Sequence, residues 1–124
     1  MTVGMTAAAR HEVTAADTAD SLGSGDLAVL GTSRLLAWAE AVTYEVIATA
    51  LEDTETSVGT RVQIEHLRPS PLDATVTVTA TVAHVDGRLV RCQVAAEHPD
   101  GTLVGHGEVT RVIVNRERFL SRLG

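Results

Sequence analysis

The chain of 124 residues contains no lysine; its ten formal side-chain cations are all arginines. That excludes a Schiff-base lysine and the lysine of a Walker phosphate loop. Rings are almost as scarce: Trp38, Tyr44 and Phe119 make up 2% of the chain. The core must come from Val, Leu, Ala and Ile, and there are few platforms on which bases could stack. Positive charge is outweighed, with a formal net charge of -6 and no run of Arg, so nucleic acid is not an expected partner. Cys92 is the only cysteine. It can form no internal disulfide and belongs to no zinc-binding cysteine cluster, and no metal site is expected. Within "RLVRCQVAA" it reads as a small buried hydrophobe. No window is long and apolar enough for a membrane span. The start, "MTVGMTAAARHEV", lacks a charged region followed by a long apolar stretch. A soluble cytoplasmic protein with no membrane partner is expected.

What is present is an apolar fraction of 44%, enough for one domain spanning 1–124 with a real core. Residues 1–8 read as a loose tail, and "RHEVTAAD" as a short strand. Asp20 to Asp26, "DSLGSGD", is a loop. A long apolar helix follows over Ser33–Leu51, with Thr32 or Ser33 as its N-cap. The period then changes to two. In "SVGTRVQIEHL", Val62, Ile64 and His66 share the core face, and Arg61, Gln63 and Glu65 the other. Pro69 and Pro71 break that strand. "ATVTVTATVAHV" alternates Val76, Val78, Ala80 and Val82 against threonines. Asp86-Gly87 is a hairpin signal, "RLVRCQVAAEH" the return strand, and Pro99 to Gly101 the next turn. The last strand, "TLVGHGEVTRVIVN", carries Gly105 and Gly107, which mark a bulge or a close backbone approach. "RERFLSRLG" closes the chain as a short tail with helical potential.

One weak strand, one long helix and four strands joined mostly by hairpins define an α+β architecture. A helix apolar nearly all round needs cover on more than one side. An antiparallel sheet curled around one long central helix supplies it, and its open edges invite a second copy. That arrangement is the hot-dog fold, and a homodimer is expected.

Three residues stand out chemically. Glu40 is a carboxylate inside the most apolar helix. It marks a functional cleft, where apolar surroundings would tune it as a general base, or a polar stripe. His66 lies on an apolar strand face, as a proton carrier or a satisfied core histidine. Thr32 stands where a helix N-terminus offers unpaired N–H groups, as an N-cap or at a site for a developing oxyanion.

Taken together, "GTSRLLAWAE", "SVGTRVQIEHLRPSP" and "TVTVTATVAHVDGR" resemble the fluoroacetyl-CoA thioesterase family of hot-dog enzymes over Gly31 to Phe119. The resemblance implies a catalytic set of Thr32, Glu40 and His66: a Thr just before the central helix, a Glu eight residues later and a His on the next strand. It also implies that Gly59, in "GT", and Arg111, on the last strand, line the acyl site. The substrate is then a small acyl thioester, with coenzyme A present only as part of it and no separate cofactor. Arg68 and other surface arginines are expected to hold the CoA phosphates. The segment before Thr32, "DSLGSGDLAVLG", has no aromatic residue, whereas the family's fluoroacetyl-specific member has a lid with aromatic side chains. General short-chain acyl-CoA hydrolysis is therefore expected rather than selection for fluorine.

Eight residues of helix span about 12 Å. Thr32 and Glu40 can meet one substrate atom only if the chain bends, or if His66, water or a second subunit completes the site. The alternative function is a non-catalytic hot-dog module that binds an acyl group or CoA. A hot-dog hydratase would need an Asp/His motif that the sequence lacks.

Overall fold

Apolar residues at Leu35, Trp38, Ala39, Val42, Val46 and Ile47 follow a helical period and are all buried. They form the inner stripe of helix α2, Thr32–Ala48, in a computed structural model that describes residues 1–124. Burying each large side chain of such a stripe contributes about 1.5–3 kcal/mol before entropy is counted. The helix ends three residues earlier than expected: the Thr49 hydroxyl donates to the Val46 carbonyl and closes the last turn. The residue before the first turn is Gly31, in an extended conformation. Thr32 is thus inside the helix and is not its N-cap.

Five strands surround this stripe: β1 Thr6–Glu12, β2 Glu55–His66, β3 Thr75–Asp86, β4 Leu89–Glu97 and β5 Leu103–Asn115. Two short helices, α1 Ala19–Leu22 and α3 Arg116–Ser121, complete the elements, with a single 3-10 turn at Ala15–Asp17. All strand pairs are antiparallel, in the order β1-β3-β4-β5-β2. The expected wrap of an antiparallel sheet around one helix is what forms, and α2 touches all five strands.

The connections are mostly hairpins, as read: β3 pairs with β4 and β4 with β5, while β2 lies at the far edge, beside β5. Two expectations need correction. The tail is not loose: Thr6 to Ala8 belong to β1, which keeps only Arg10 to Glu12 of the strand read in "RHEVTAAD". Also, one chain does not cover α2 on all sides. Ser33, Ala37, Ala41, Tyr44 and Ala48 form an exposed outer stripe.

The alternation of β3 and β4 is as read: Val76, Val78, Ala80 and Val82 face inward, as do Val90, buried Cys92, Val94 and Ala96. Gly105 and Gly107 mark close approaches, and Gly105 also sits at a register shift in β5, where Ala96 faces Gly105 but Glu97 faces Leu103. Gly107 sits opposite Ile64 in regular register, and a Cβ there would collide with the Gln63 backbone. Another register shift lies in β2, between Gly59 and Arg61. An extra residue shifts the two-residue period by one. Ser57 and Gly59 before it therefore share the inner face with Val62, Ile64 and His66 after it.

Candidate active site

The N-terminus of α2 abuts the end of β2, and there the Thr32 Oγ1 lies 2.7 Å from His66 Nδ1. Burial pushes the His66 pKa below its usual value, against a weaker opposite pull from the Arg68 backbone. The imidazole is then neutral near pH 7 and able to take a proton. The second ring nitrogen, Nε2, is buried and bonded to nothing. If Thr32 donates to Nδ1, this Nε2 carries the proton and lacks an acceptor. The Thr32 and Ser33 amides donate to no backbone carbonyl. They point from the positive end of a 17-residue helix, where developing negative charge is stabilised.

Thr32 and His66 open into a cleft of ≈ 290 Å³. Its walls include Val29 and Leu30 on one side and Leu67, Arg68 and Pro69 on the other, with no aromatic residue. Arg68 is one of the lining residues, with its Nη1 donating to the Leu103 carbonyl at 2.9 Å.

Glu40, Gly59 and Arg111 form a second group. The Arg111 side chain is only 8% exposed, and Nη1 lies 3.6 Å from Glu40 Oε2. Its Nε donates to Ser57 Oγ at 2.8 Å and Nη2 to the Ser57 carbonyl at 2.9 Å. The guanidinium carbon is 5.8 Å from the Tyr44 ring centre, within range of a cation–π contact. Burial lowers the Arg111 pKa and Glu40 opposes the shift. A Cβ at Gly59 would collide with Glu40 Oε2 and come within 3.4 Å of Arg111 Nη1. Glycine is what lets these two charged groups meet against the strand. Glu40 is not enclosed by apolar neighbours, as its helix had led us to expect: its side chain is 40% exposed and faces a guanidinium.

Within one chain the structure does not join the two groups. Gly59 and His66 stand seven residues apart on β2, about 20 Å at strand rise. Thr32 and Glu40 are about 12 Å apart on α2. No hydrogen bond or ion pair connects Thr32 or His66 with Glu40, Gly59 or Arg111. One chain thus carries two half-sites, with a base and a hydroxyl in one and a carboxylate, a glycine and a buried cation in the other.

Ser57 and Tyr44 were not singled out from sequence, yet both hold Arg111. Ser57 had a signal, since it lies two residues before Gly59 and so on the same face. His98, next to the Pro99 turn, bonds through Nε2 to the buried Ser70 hydroxyl at 2.7 Å.

The chain matches the family described as fluoroacetyl-CoA-specific thioesterase over residues 13–117, a span that includes both half-sites. It is 33% identical over 89 residues to the fluoroacetyl-CoA thioesterase of Streptantibioticus cattleyicolor, covering 72% of this chain and 61% of that one. The matched stretch therefore spans about three fifths of that relative's length. Among solved structures, a threonine-to-serine variant of the fluoroacetyl-CoA enzyme in complex with acetyl-CoA superposes with a TM-score of 0.90 at 26% identity, over 99% of this chain and 96% of that chain. A hot-dog-like protein from Thermanaerovibrio acidaminovorans gives 0.89 at 27% identity, over 98% and 89%. The sheet and helix described above are thus those of the hot-dog fold.

Proposed function

Because the chain belongs to the family of fluoroacetyl-CoA-specific thioesterases, we propose that it hydrolyses a short-chain acyl-CoA or a related thioester as a cytoplasmic homodimer. The observation that carries this reading is the 2.7 Å contact between the Thr32 hydroxyl and His66 Nδ1 at a helix N-terminus. His66 accepts the hydroxyl proton as Oγ1 adds to the thioester carbonyl. The oxyanion is held by unpaired amides at the start of α2. The C–S bond breaks, the thiolate takes the proton from His66, and the acyl group stays on Thr32 as an ester. Water then adds to the ester, giving its proton to the base, and the acid and free Thr32 are released.

Glu40, Gly59 and Arg111 form the acyl side of the site, contributed by the second subunit. Two observations support this. His66 Nε2 lacks an acceptor, and a carboxylate is the usual partner of a catalytic imidazole's second nitrogen. Also, β2 is a sheet edge, open to pairing with a copy of itself. An antiparallel β2–β2 pair with Gln63 on the two-fold axis keeps like faces opposite and sets Arg61 against Glu65 of the partner subunit. It also brings the Gly59 end of one strand to the His66 end of the other. Arg68, beside His66, supplies one cation for a phosphate of the carrier.

With no aromatic side chain lining the cleft, the enzyme acts on small acyl groups without selecting fluorine. Thiol release measured over a series of acyl-CoAs tests this. Turnover should be greatest for short acyl chains, with fluoroacetyl-CoA favoured over acetyl-CoA only by its intrinsic reactivity. Tight binding without turnover of any member would leave a non-catalytic acyl/CoA-binding module instead.

A further inference from the structure

Arg68 is one guanidinium, already engaged with the Leu103 carbonyl, whereas the CoA carrier bears a diphosphate and a ribose phosphate. A larger concentration of positive charge lies at the other end of the sheet. Arg88, in the β3–β4 turn, and Arg118 and Arg122, on and just after α3, line one cleft of ≈ 210 Å³ together with Phe119. Arg118 and Arg122 have no acidic partner, and Arg88 shares its Nη1 between Glu55 at 3.3 Å and the Ile113 carbonyl at 3.3 Å. Two like charges four residues apart disfavour a helix by a few tenths of a kcal/mol. In a chain of net charge -6, their convergence on one hollow beside a 38% exposed phenylalanine is the chemistry of a phosphorylated nucleoside site.

A second hollow, of ≈ 80 Å³, is lined by residues that touch both groups. Tyr44 and Ser57, which hold Arg111, line it together with Glu55, which meets Arg88 of the cleft. Glu52, Asp53 and Glu55 rim it. Such a rim repels phosphate but accepts a neutral amide chain.

We propose that the Arg88–Arg118–Arg122 cleft binds the phosphorylated adenosine end of the thioester's carrier, whose neutral arm lies in the acid-rimmed hollow. This rests on the thioester reading of the acyl half-site. A free phosphorylated nucleoside has the same chemistry, so the test separates the two sources.

Binding of adenosine 3′,5′-bisphosphate is measured by calorimetry at low salt, on the wild type and on the Arg118→Ala/Arg122→Ala double variant. KM is measured on both proteins for an acyl-CoA and for the matching acyl-pantetheine. Loss of two guanidinium–phosphate contacts should weaken bisphosphate binding about tenfold or more. KM for the acyl-CoA should rise by a similar factor with kcat unchanged, and KM for the acyl-pantetheine should not move. Equal thermal midpoints establish that both proteins are folded, since neither arginine is buried. Unchanged bisphosphate affinity in the double variant overturns the site, even if thioesters are hydrolysed. Weakened bisphosphate binding with an unchanged acyl-CoA KM overturns the carrier assignment in favour of a free nucleotide. If the wild type hydrolyses nothing but binds the bisphosphate through these arginines, the nucleotide cleft stands and the hydrolase reading alone fails.

Discussion

Two inactive variants of this protein should restore activity when mixed. His66→Ala removes the base from one half-site, and Glu40→Gln removes the carboxylate from the other. Each homodimer should lose about 10²-fold in kcat, the usual effect of removing a positioned acid or base. The half-sites stand about 20 Å apart along one β2, too far for His66 and Glu40 of one chain to act on one carbonyl. In a mixed dimer, one site combines His66 of the Glu40→Gln chain with Glu40 of the His66→Ala chain and is intact; the other lacks both groups. Random pairing makes half the dimers mixed, so the mixture should recover about one quarter of the wild-type rate under closed two-fold assembly. The variants are unfolded together in urea, refolded at equal concentration and assayed for thiol release. As a control, wild type mixed with the double variant should give about one quarter if sites cross subunits and about one half if they do not. No recovery in the first mixture, with dimers demonstrated by sedimentation, would refute the shared site.

Burial holds the His66 pKa below its usual value, so kcat/KM should stay level as pH falls through 6.5 and drop only at lower pH; a break above 6.5 contradicts a buried neutral base. His11, stacked on Trp38 at 4.2 Å, is likewise depressed by burial, against the pull of Asp17 and Glu45. The unfolded chain therefore protonates both histidines first, and stability present above pH 6.5 is lost as pH falls below it. The thermal midpoint should decline from pH 7 to pH 5, and less steeply in His11→Phe, which keeps a stacked ring. Gly59→Ala drives a Cβ against the flexible end of Glu40. It should cut turnover by about 10²-fold, as expected for a displaced catalytic group, with little change in midpoint. Gly107→Ala meets the rigid Gln63 backbone instead and should destabilise the fold by about 1–3 kcal/mol in urea titration.

The local features of this fold were legible because their signals are local. The helical period of Leu35 to Ile47, the alternation of β3 and β4 and the Asp86-Gly87 turn each lie within a dozen residues. β1 was read too late in the chain because "TAAARHE" has no β-branched residue after its first; pairing with β3 makes it a strand, not its own preference. The β2–β5 pairing brings Gly59 opposite Arg111, a contact across half the chain that no local pattern encodes. Thr32, Glu40 and His66 stood out from their places in apolar patterns, Gly59 and Arg111 only from the resemblance to known enzymes, and the bulge that puts Gly59 and His66 on one face from neither. Thr32 was read as an N-cap candidate because hydroxyl residues favour that place. Gly31 occupies it, and the Thr32 hydroxyl is left for His66.

The central claim is that the Thr32–His66 pair cleaves a thioester, and Thr32→Val tests it most directly. Valine keeps the shape and removes only the hydroxyl. Thr32 is exposed and supports no other side chain, so the thermal midpoint should not change. Thiol release from a short acyl-CoA, measured under saturating substrate on wild type and variant together, should fall by about 10²-fold or more. A folded Thr32→Val protein that releases thiol at the wild-type rate would contradict the account.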